Sequence, residues 1–363
     1  MPMPSDTRSF CTVITWSHLP YVRALRDSLR ASGNTEPFHV LVTDASIARL
    51  PAEEDGLRCL ALDQLVPEPP RAMRHYFSAF ELCNALKPFL VAHLLAAGAE
   101  RVIYLDCDLL VTGSFDPVWK LLDEAPLLLT PHQLVPPPID LPYITEIDIV
   151  DQGLFNGGFS AWRRGPESAR MLDWMHSRFP VYGFADRQHG MFVDQKMLPL
   201  LAEYYPDDVK IVRDPRLNIA FWNAHERAVR ETAPGRWEID GRPAIFFHLS
   251  GYRTTKPGAA CTYMPDSSNE ALLARCPWLR GVLARYHEGV ARHEAGHRAI
   301  PYPYSHYEGT RLTADFRRLL FATGRLDRRS FAYWRIWVRE RLRPIKHFFT
   351  RNLSALLDRA RRR

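Results

Sequence analysis

The sequence predicts an α/β protein: a mixed, mostly parallel open sheet flanked by helices, followed by a helical C-terminal extension. Three observations predict it. Short β-branched and aromatic runs alternate with stretches of helical spacing from Ser9 to His248. The run Arg101–Val111 carries two carboxylates, Asp106 and Asp108, separated by one residue, where a parallel sheet presents the carboxyl ends of its strands to ligands. After Ser267 the spacing is helical and the strand signals stop.

Taken in order, Ser9–Ile14 reads as a strand and Tyr21–Ala31 as an amphipathic helix stopped by Gly33. Phe38–Val42 is a second strand. Ser78–Ala97 has helical spacing and ends at Gly98, and a strand that begins at Arg101 and ends in Asp106 and Asp108 follows. Five prolines between Pro131 and Pro142 mark an irregular surface segment, either a lid over a site or a plain rigid connector. Asn156–Trp162 resumes as a strand and Pro166–Arg178 as a helix. Asp194–Tyr205 reads as a helix that Pro199 kinks, and Val209–Val212 and Ala244–His248 read as strands. The expected domains are 1–265 around the sheet, a helical extension over 266–324, and a tail over 325–363.

A chain of 363 residues with 46% hydrophobic and 12% aromatic content buries a substantial core. No apolar run approaches the roughly 20 residues of a membrane span, and the N-terminus reads as no secretory signal. The six cysteines show no metal or disulfide spacing, so free thiols in a cytoplasmic setting are expected. The net charge of +6 is unevenly placed: from Arg325 onward thirteen Lys and Arg face three Asp and Glu. Phe331, Tyr333, Trp334, Trp337, Phe348 and Phe349 lie among those arginines. This composition suits the interface of an anionic bilayer, and equally a solvated face whose aromatics pack inward. No nucleic-acid-binding motif accompanies the basic run, so no nucleic-acid partner is expected.

Residues two apart on a strand face the same way, so Asp106 and Asp108 can serve one divalent cation; capping of a turn is the alternative. Asn156-Gly157-Gly158 leads a strand, where paired glycines permit close approach of a ligand or an ordinary bulge. Asp194-Gln195 falls at a helix start, where an N-cap also uses an aspartate. His248 ends an apolar strand ahead of Gly251, Arg253 and Lys256-Pro257; a lone histidine there is usually a satisfied structural residue, whereas an imidazole beside two carboxylates makes a mixed site suited to Mn²⁺.

In this order the pieces resemble glycosyltransferases of the GT-A (Rossmann-like) fold, in particular the retaining family 8 type that includes glycogenin and the lipopolysaccharide galactosyltransferases. The resemblance runs from about Phe10 to Pro257. It rests on Asp106-Cys107-Asp108, Asn156-Gly157-Gly158, Asp194-Gln195 and His248…Gly251…Lys256-Pro257. Glu81–Pro88 and Arg213–Asn223 look closer still to a bacterial branch of uncharacterised transferases.

The resemblance implies that Asp106, Asp108 and His248 hold Mn²⁺ (or Mg²⁺), with Asp106 also touching the donor ribose. Lys256 and the backbone near Gly251 would clasp the diphosphate, and Lys87 would reach the donor from its helix. Asn156 and Asp194 would bind the donor sugar or position the acceptor, Gly157 would belong to the donor site, and Gln195 would lie beneath the anomeric carbon. Two positions depart from the pattern. Tyr252-Arg253-Thr254-Thr255 lengthens the gap before Lys256, so Arg253 can share its role, and Lys196 stands where some relatives carry an acid. The implied activity is transfer of a hexose from a nucleotide sugar, with UDP as the default, to a bacterial glycan or lipid-linked acceptor. The enzyme would then act in the cytoplasm or on the inner face of its membrane. A metal-dependent nucleotidyltransferase and a non-catalytic glycan- or membrane-binding protein on the same scaffold remain as alternatives; the first usually carries a glycine-rich loop that Thr15–Pro20 is not.

Overall fold

The computed structural model describes residues 7–342 except 52 and 55. The chain forms two compact units. One runs to Pro70 and from Ala79 to Pro301; the other comprises Arg71–Ser78 and the described residues from Tyr302 onward.

The first unit is built on a seven-stranded sheet. Its strands are β1 (Arg8–Ile14), β2 (Phe38–Val42), β3 (Leu57–Ala61), β4 (Arg101–Leu105), β6 (Leu127–Pro131), β7 (Phe155–Arg163) and β8 (Val209–Ile211), in the order β8-β6-β7-β4-β1-β2-β3. Only β7 runs antiparallel to its neighbours β4 and β6. The mixed, mostly parallel sheet expected from the sequence is therefore present. Its central strands are almost wholly buried, as continuous runs such as Leu127-Leu128-Leu129 require when helices cover both faces.

The strand expected to end in the two carboxylates stops just short of them, and a second strand follows. β4 ends at Leu105, and β5 (Leu109–Val111) leaves the main sheet to pair antiparallel with β9 (Phe246–His248). Asp106, Cys107 and Asp108 are the link between them, so strand alternation does not explain how the two carboxylates meet. The fork does: an aspartate pair breaks the ladder because neither carboxylate can be buried between sheet neighbours without a partner.

Helix α1 (Leu19–Ala31) starts with Pro20 in its first turn, buries Leu19, Val22, Leu25 and Leu29, and ends at Gly33, whose φ of +81° suits a residue without Cβ. Helix α2 (Ala79–Ala96) packs against β1, β4 and α3 (Pro166–Tyr182). With 18 residues and a mean hydropathy of 1.3, α2 is long and apolar enough to cross a membrane, contrary to the sequence expectation, but 67% of it is buried inside the fold. Pro88 sits within it, where the missing N–H removes one helical bond.

The expected helix Asp194–Tyr205 is a 3₁₀ turn, Asp194–Lys196, followed by α4 (Leu198–Tyr204). Pro199 lies in the first turn of α4, so it starts a helix rather than kinking one. An antiparallel meander over Val229–Ala233, Arg236–Ile239 and Arg242–Pro243 was not anticipated. Helix α5 (Asp266–Arg275) and α6 (Leu279–Glu294) also belong to the first unit, where α6 packs along α1. The core beneath the fork holds Phe10, Phe115, Phe159 and Phe246, with Phe10–Phe115 edge-to-face at 5.3 Å and Phe115–Phe246 stacked at 5.8 Å. Each such burial contributes about 1.5–3 kcal/mol.

In the second unit α7 (Ala314–Thr323) packs on the short helix Met73–Tyr76, and the buried Arg317 guanidinium donates to the carbonyls of His75, Phe77 and Tyr304. A hairpin of His306–Tyr307 with Thr310–Arg311 interrupts the helices expected after Ser267. Residues 331–342 are helical; Tyr333 and Ile336 are buried, whereas Phe331 is 82% exposed. The tail aromatics Phe348 and Phe349 lie outside the described residues.

Candidate active site

Sheet register assembles the site. β9 pairs with β5 so that His248 lies opposite Leu109, and the Leu249 amide donates to the Asp108 carbonyl at 2.9 Å. On the other side β7 pairs with β4 so that Phe159 opposes Leu105, and the Asp106 amide donates to the Gly158 carbonyl at 2.8 Å. The fork between β4 and β5 therefore brings Asp106 beside the glycine pair and Asp108 beside His248. One ligand atom from each of Asp106, Asp108 and His248 lies within 4.8 Å of the others.

His248 is held by a residue that the sequence reading did not single out. Asn218, wholly buried at φ +52°, presents Oδ1 to His248 Nδ1 at 3.1 Å, so that nitrogen carries the proton. Nε2 then turns its lone pair toward Asp108 Oδ1, 3.2 Å away. This contact is an ion pair only when the ring is doubly protonated. In the neutral ring Asp108 Oδ1 is a buried oxygen without a donor among the described residues. Burial acts to raise the Asp108 carboxyl; when the ring is doubly protonated, the His248 charge and hydrogen bond, with His18 adding to them, hold it below its ordinary value. Two hard carboxylate oxygens and one outward imidazole lone pair, with one oxygen orphaned, fit a divalent cation such as Mn²⁺ or Mg²⁺.

Behind Asp106 lies a buried charge cluster. Lys87 Nζ from α2 is 3.0 Å from Asp194 Oδ2 and 3.3 Å from Asp106 Oδ1, and it donates to the Gly157 carbonyl at 2.9 Å. Burial opposes the ammonium charge, yet Asp106 and Asp194 outweigh it and hold Lys87 above its ordinary value. Burial lifts the Asp194 carboxyl; Lys87 pulls it down and Asp106 adds to the rise. Tyr104 donates to Asp106 Oδ1 at 2.6 Å, and burial, then Asp106, push its phenol well above the usual range, so it stays a donor.

Asp194 Oδ1 is buried without a partner among the described residues. The residue before it, Val193, is 1% exposed and holds φ at +43°, a conformation that costs a β-branched residue about 1–3 kcal/mol. Val193 also occupies the cap position of the turn, so Asp194 is not the N-cap; its carboxylate goes to Lys87.

The glycines are required by close approach. A Cβ on Gly157 would lie 2.4 Å from Asp194 Oδ2, and one on Gly158 would lie 2.4 Å from His248 Cε1 and 3.0 Å from Asp106 Oδ2. Asn156 Oδ1 accepts the Gly158 amide at 2.9 Å, and Gln195 Oε1 accepts the Gly157 amide at 3.0 Å. Asn156, Gly157, Asp194 and Gln195 thus form one cluster with Lys87 and the two aspartates.

The segment after β9 is arranged differently. Gly251 has φ +76°, and a Cβ there would meet Cys261 Sγ at 2.7 Å. Lys256 is exposed and pairs with exposed Asp266 at 2.6 Å, so it is not gathered with the carboxylates. Arg253 and Asp108 both act on His18. Burial lowers the His18 imidazole, with Asp108 opposing and Arg253 reinforcing that shift, so His18 feels both charges. His18 follows β1 and carried no signal in the sequence. The proline-rich segment is tied down at its start, where Glu226 accepts the amides of Leu134 and Val135 at 2.9 and 2.7 Å. The six cysteines are free thiols.

No family model matches the sequence. The chain is similar to the uncharacterized protein YfnF of Bacillus subtilis (strain 168), with 27% identity over 260 residues that cover 68% of this chain and 82% of that protein. A second uncharacterized protein of that organism, YfnD, is 23% identical over 266 residues, covering 71% of this chain and 83% of its own length. Among solved structures the chain is similar to the galactosyltransferase LgtC in complex with donor and acceptor sugar analogs, at 17% identity and a TM-score of 0.45, over 81% of this chain and 97% of that one.

Proposed function

We propose that this chain is a metal-dependent, retaining glycosyltransferase that moves a hexose from a nucleotide sugar, UDP-linked by resemblance, to a glycan or lipid-linked acceptor. The observation that carries this reading is the convergence of Asp106, Asp108 and His248, with Lys87 bridging Asp106 to Asp194. We assign the reaction to residues 1–265, with 266–324 as a helical extension and 325–363 as a tail.

Asp106, Asp108 and His248 would hold the cation, which when bound neutralises negative charge on the departing nucleoside diphosphate. The chain's own groups prepare for the same charge separation. Arg253 and the backbone at Gly251 clasp the phosphates, while Lys256 stays paired with Asp266. Asp194, ion-paired to Lys87, opposes the positive charge that grows at the anomeric carbon. Asn156 and Gln195 position the sugar, and the bare backbone at Gly157 and Gly158 lets it come close. No carboxylate is assigned as nucleophile, so the acceptor attacks from the face that the diphosphate leaves.

The tail reading belongs to the second unit. Phe331, Trp334, Val338 and Leu342 are exposed at helical spacing, and Arg341 lies over the Trp337 ring at 4.2 Å. Rings and guanidinium groups on one short helix support peripheral contact with an anionic membrane.

The test is nucleotide release from a panel of nucleotide sugars in the presence of Mn²⁺. Release of nucleoside diphosphate from one donor, lost in Asp108→Asn with the fold retained, is the expected result. Full activity of Asp108→Asn, or full activity in excess EDTA, overturns the metal-dependent reading. Release of pyrophosphate from a nucleoside triphosphate instead would favour a nucleotidyltransferase.

A further inference from the structure

Beside the glycine pair lies a hydrogen-bonded circuit whose direction is set by one proton. His132, 3% exposed at the end of β6, places Nδ1 2.7 Å from the Gly153 carbonyl, which can only accept. Nδ1 therefore carries the proton and Nε2 is an acceptor. Asn156 Nδ2 meets Nε2 at 3.1 Å and gives its other proton to Gln195 Oε1 at 3.3 Å. That orientation leaves Asn156 Oδ1 for the Gly158 amide, and Gln195 Oε1 also takes the Gly157 amide. Gln195 Nε2 closes the circuit on the Gln152 carbonyl at 3.2 Å. The chain starts and finishes on neighbouring carbonyls, at 152 and 153.

Each amide in this circuit has two possible orientations, and a singly protonated His132 admits one of them. A proton on Nε2 would set N–H against the N–H of Asn156. Turning the Asn156 amide to relieve that clash would set its Nδ2 against the Gly158 amide, again donor to donor. Burial favours the neutral ring and lowers His132 to about 4.

We propose that His132 is a positioning residue: its Nε2 lone pair fixes the amide polarity of Asn156 and Gln195, and through them the Gly157-Gly158 backbone that faces the donor. The catalytic part of this proposal rests on the glycosyltransferase reading; the structural part does not.

Three variants separate the roles of the ring. His132→Gln keeps an acceptor near Nε2, His132→Asn keeps only the donor near Nδ1, and His132→Phe keeps neither. The readout that needs no activity is hydrogen exchange at the Gly157 and Gly158 amides against those of β1. Exchange there is expected to quicken by about tenfold or more in the Asn and Phe variants and to stay near wild type in Gln, with β1 unmoved. Donor turnover should follow the same order, with kcat falling about 10–100-fold in Asn and Phe while KM changes less. Uniform loss of protection across all three variants and β1 overturns the proposal in favour of simple core filling. So does wild-type protection of Gly157 and Gly158 in the Asn variant, or NMR detection of a proton on Nε2 in wild type. Absence of turnover with every donor while the exchange pattern holds would count against the glycosyltransferase reading and leave the positioning role standing.

Discussion

Lys87 Nζ lies 3.0 Å from Asp194 Oδ2, and both side chains are at least nine-tenths buried. The pair ties the middle of α2 to the turn that follows Val193, and the same ammonium reaches Asp106. A single cation thus compensates two carboxylates from distant parts of the chain, which makes it a structural element of the fold.

Removing that cation leaves buried negative charge uncompensated. Lys87→Met should cost about 3–5 kcal/mol of stability, read by denaturant unfolding. The double variant Lys87→Met/Asp194→Asn should recover part of it, because one of the two stranded charges is gone. Full stability of Lys87→Met would contradict the buried pair.

Gly158→Ala places a methyl group where His248 Cε1 and Asp106 Oδ2 stand. His248 or the β7 backbone must shift, and either opens the three-ligand cluster. Mn²⁺ affinity should fall by at least about tenfold, in line with the sensitivity of metal sites to ligand orientation. Calorimetric titration checks this, and wild-type affinity in a folded Gly158→Ala protein would refute it.

Asn218 acts on the same ligand from behind. Asn218→Gly tolerates the φ of +52° but removes the acceptor for His248 Nδ1–H, so metal affinity should drop about 10–100-fold. Asn218→Asp keeps an acceptor and should retain binding. Equal affinities in the two variants would show that the ring is held by packing alone.

Stability should decline as pH falls from about 6.5 to 4. Burial lowers His132 and His39 to about 4, so the unfolded chain takes up these protons first and the stabilisation present above pH 6.5 is lost toward the folded value. Each contributes on the order of 3 kcal/mol. His18, His75, His93, His176, His225 and His297 shift the same way. Asp44 and Asp194, lifted by burial, work against this trend with fewer groups. Unfolding curves at pH 7.5 and 4.5 decide it; equal midpoints would mean the histidines are solvated.

Deletion of the residues after 325 should abolish co-sedimentation with anionic vesicles while leaving binding to neutral vesicles unchanged. Undiminished sedimentation of the shortened chain would remove the tail from any membrane role.

Much of the sheet was legible because buried parallel strands are short, apolar and bounded by glycine and proline. β1, β2 and β7 fall within about a residue of their expected limits, inside the usual scatter of element ends. The meander over 229–243 was missed because its strands are largely exposed and carry charges such as Arg230 and Glu231 in place of an apolar run. The four site motifs were legible as residue types. Lys256 illustrates the limit of that reading, since a lysine in the right motif spends its charge on Asp266.

Residue order along the chain sufficed to name the alternation of strand and helix and the acidic, glycine and histidine motifs, because local periodicity and side-chain chemistry are written in neighbouring positions. It could not reveal that the strand after Leu105 forks, that Leu109 would face His248, or that Asn218 and His132 would stand behind the ligands. Those relationships join residues up to 139 positions apart, as between 109 and 248, and arise from pairing register and from the need of buried polar atoms to find partners. Such constraints are met only once the whole chain has folded.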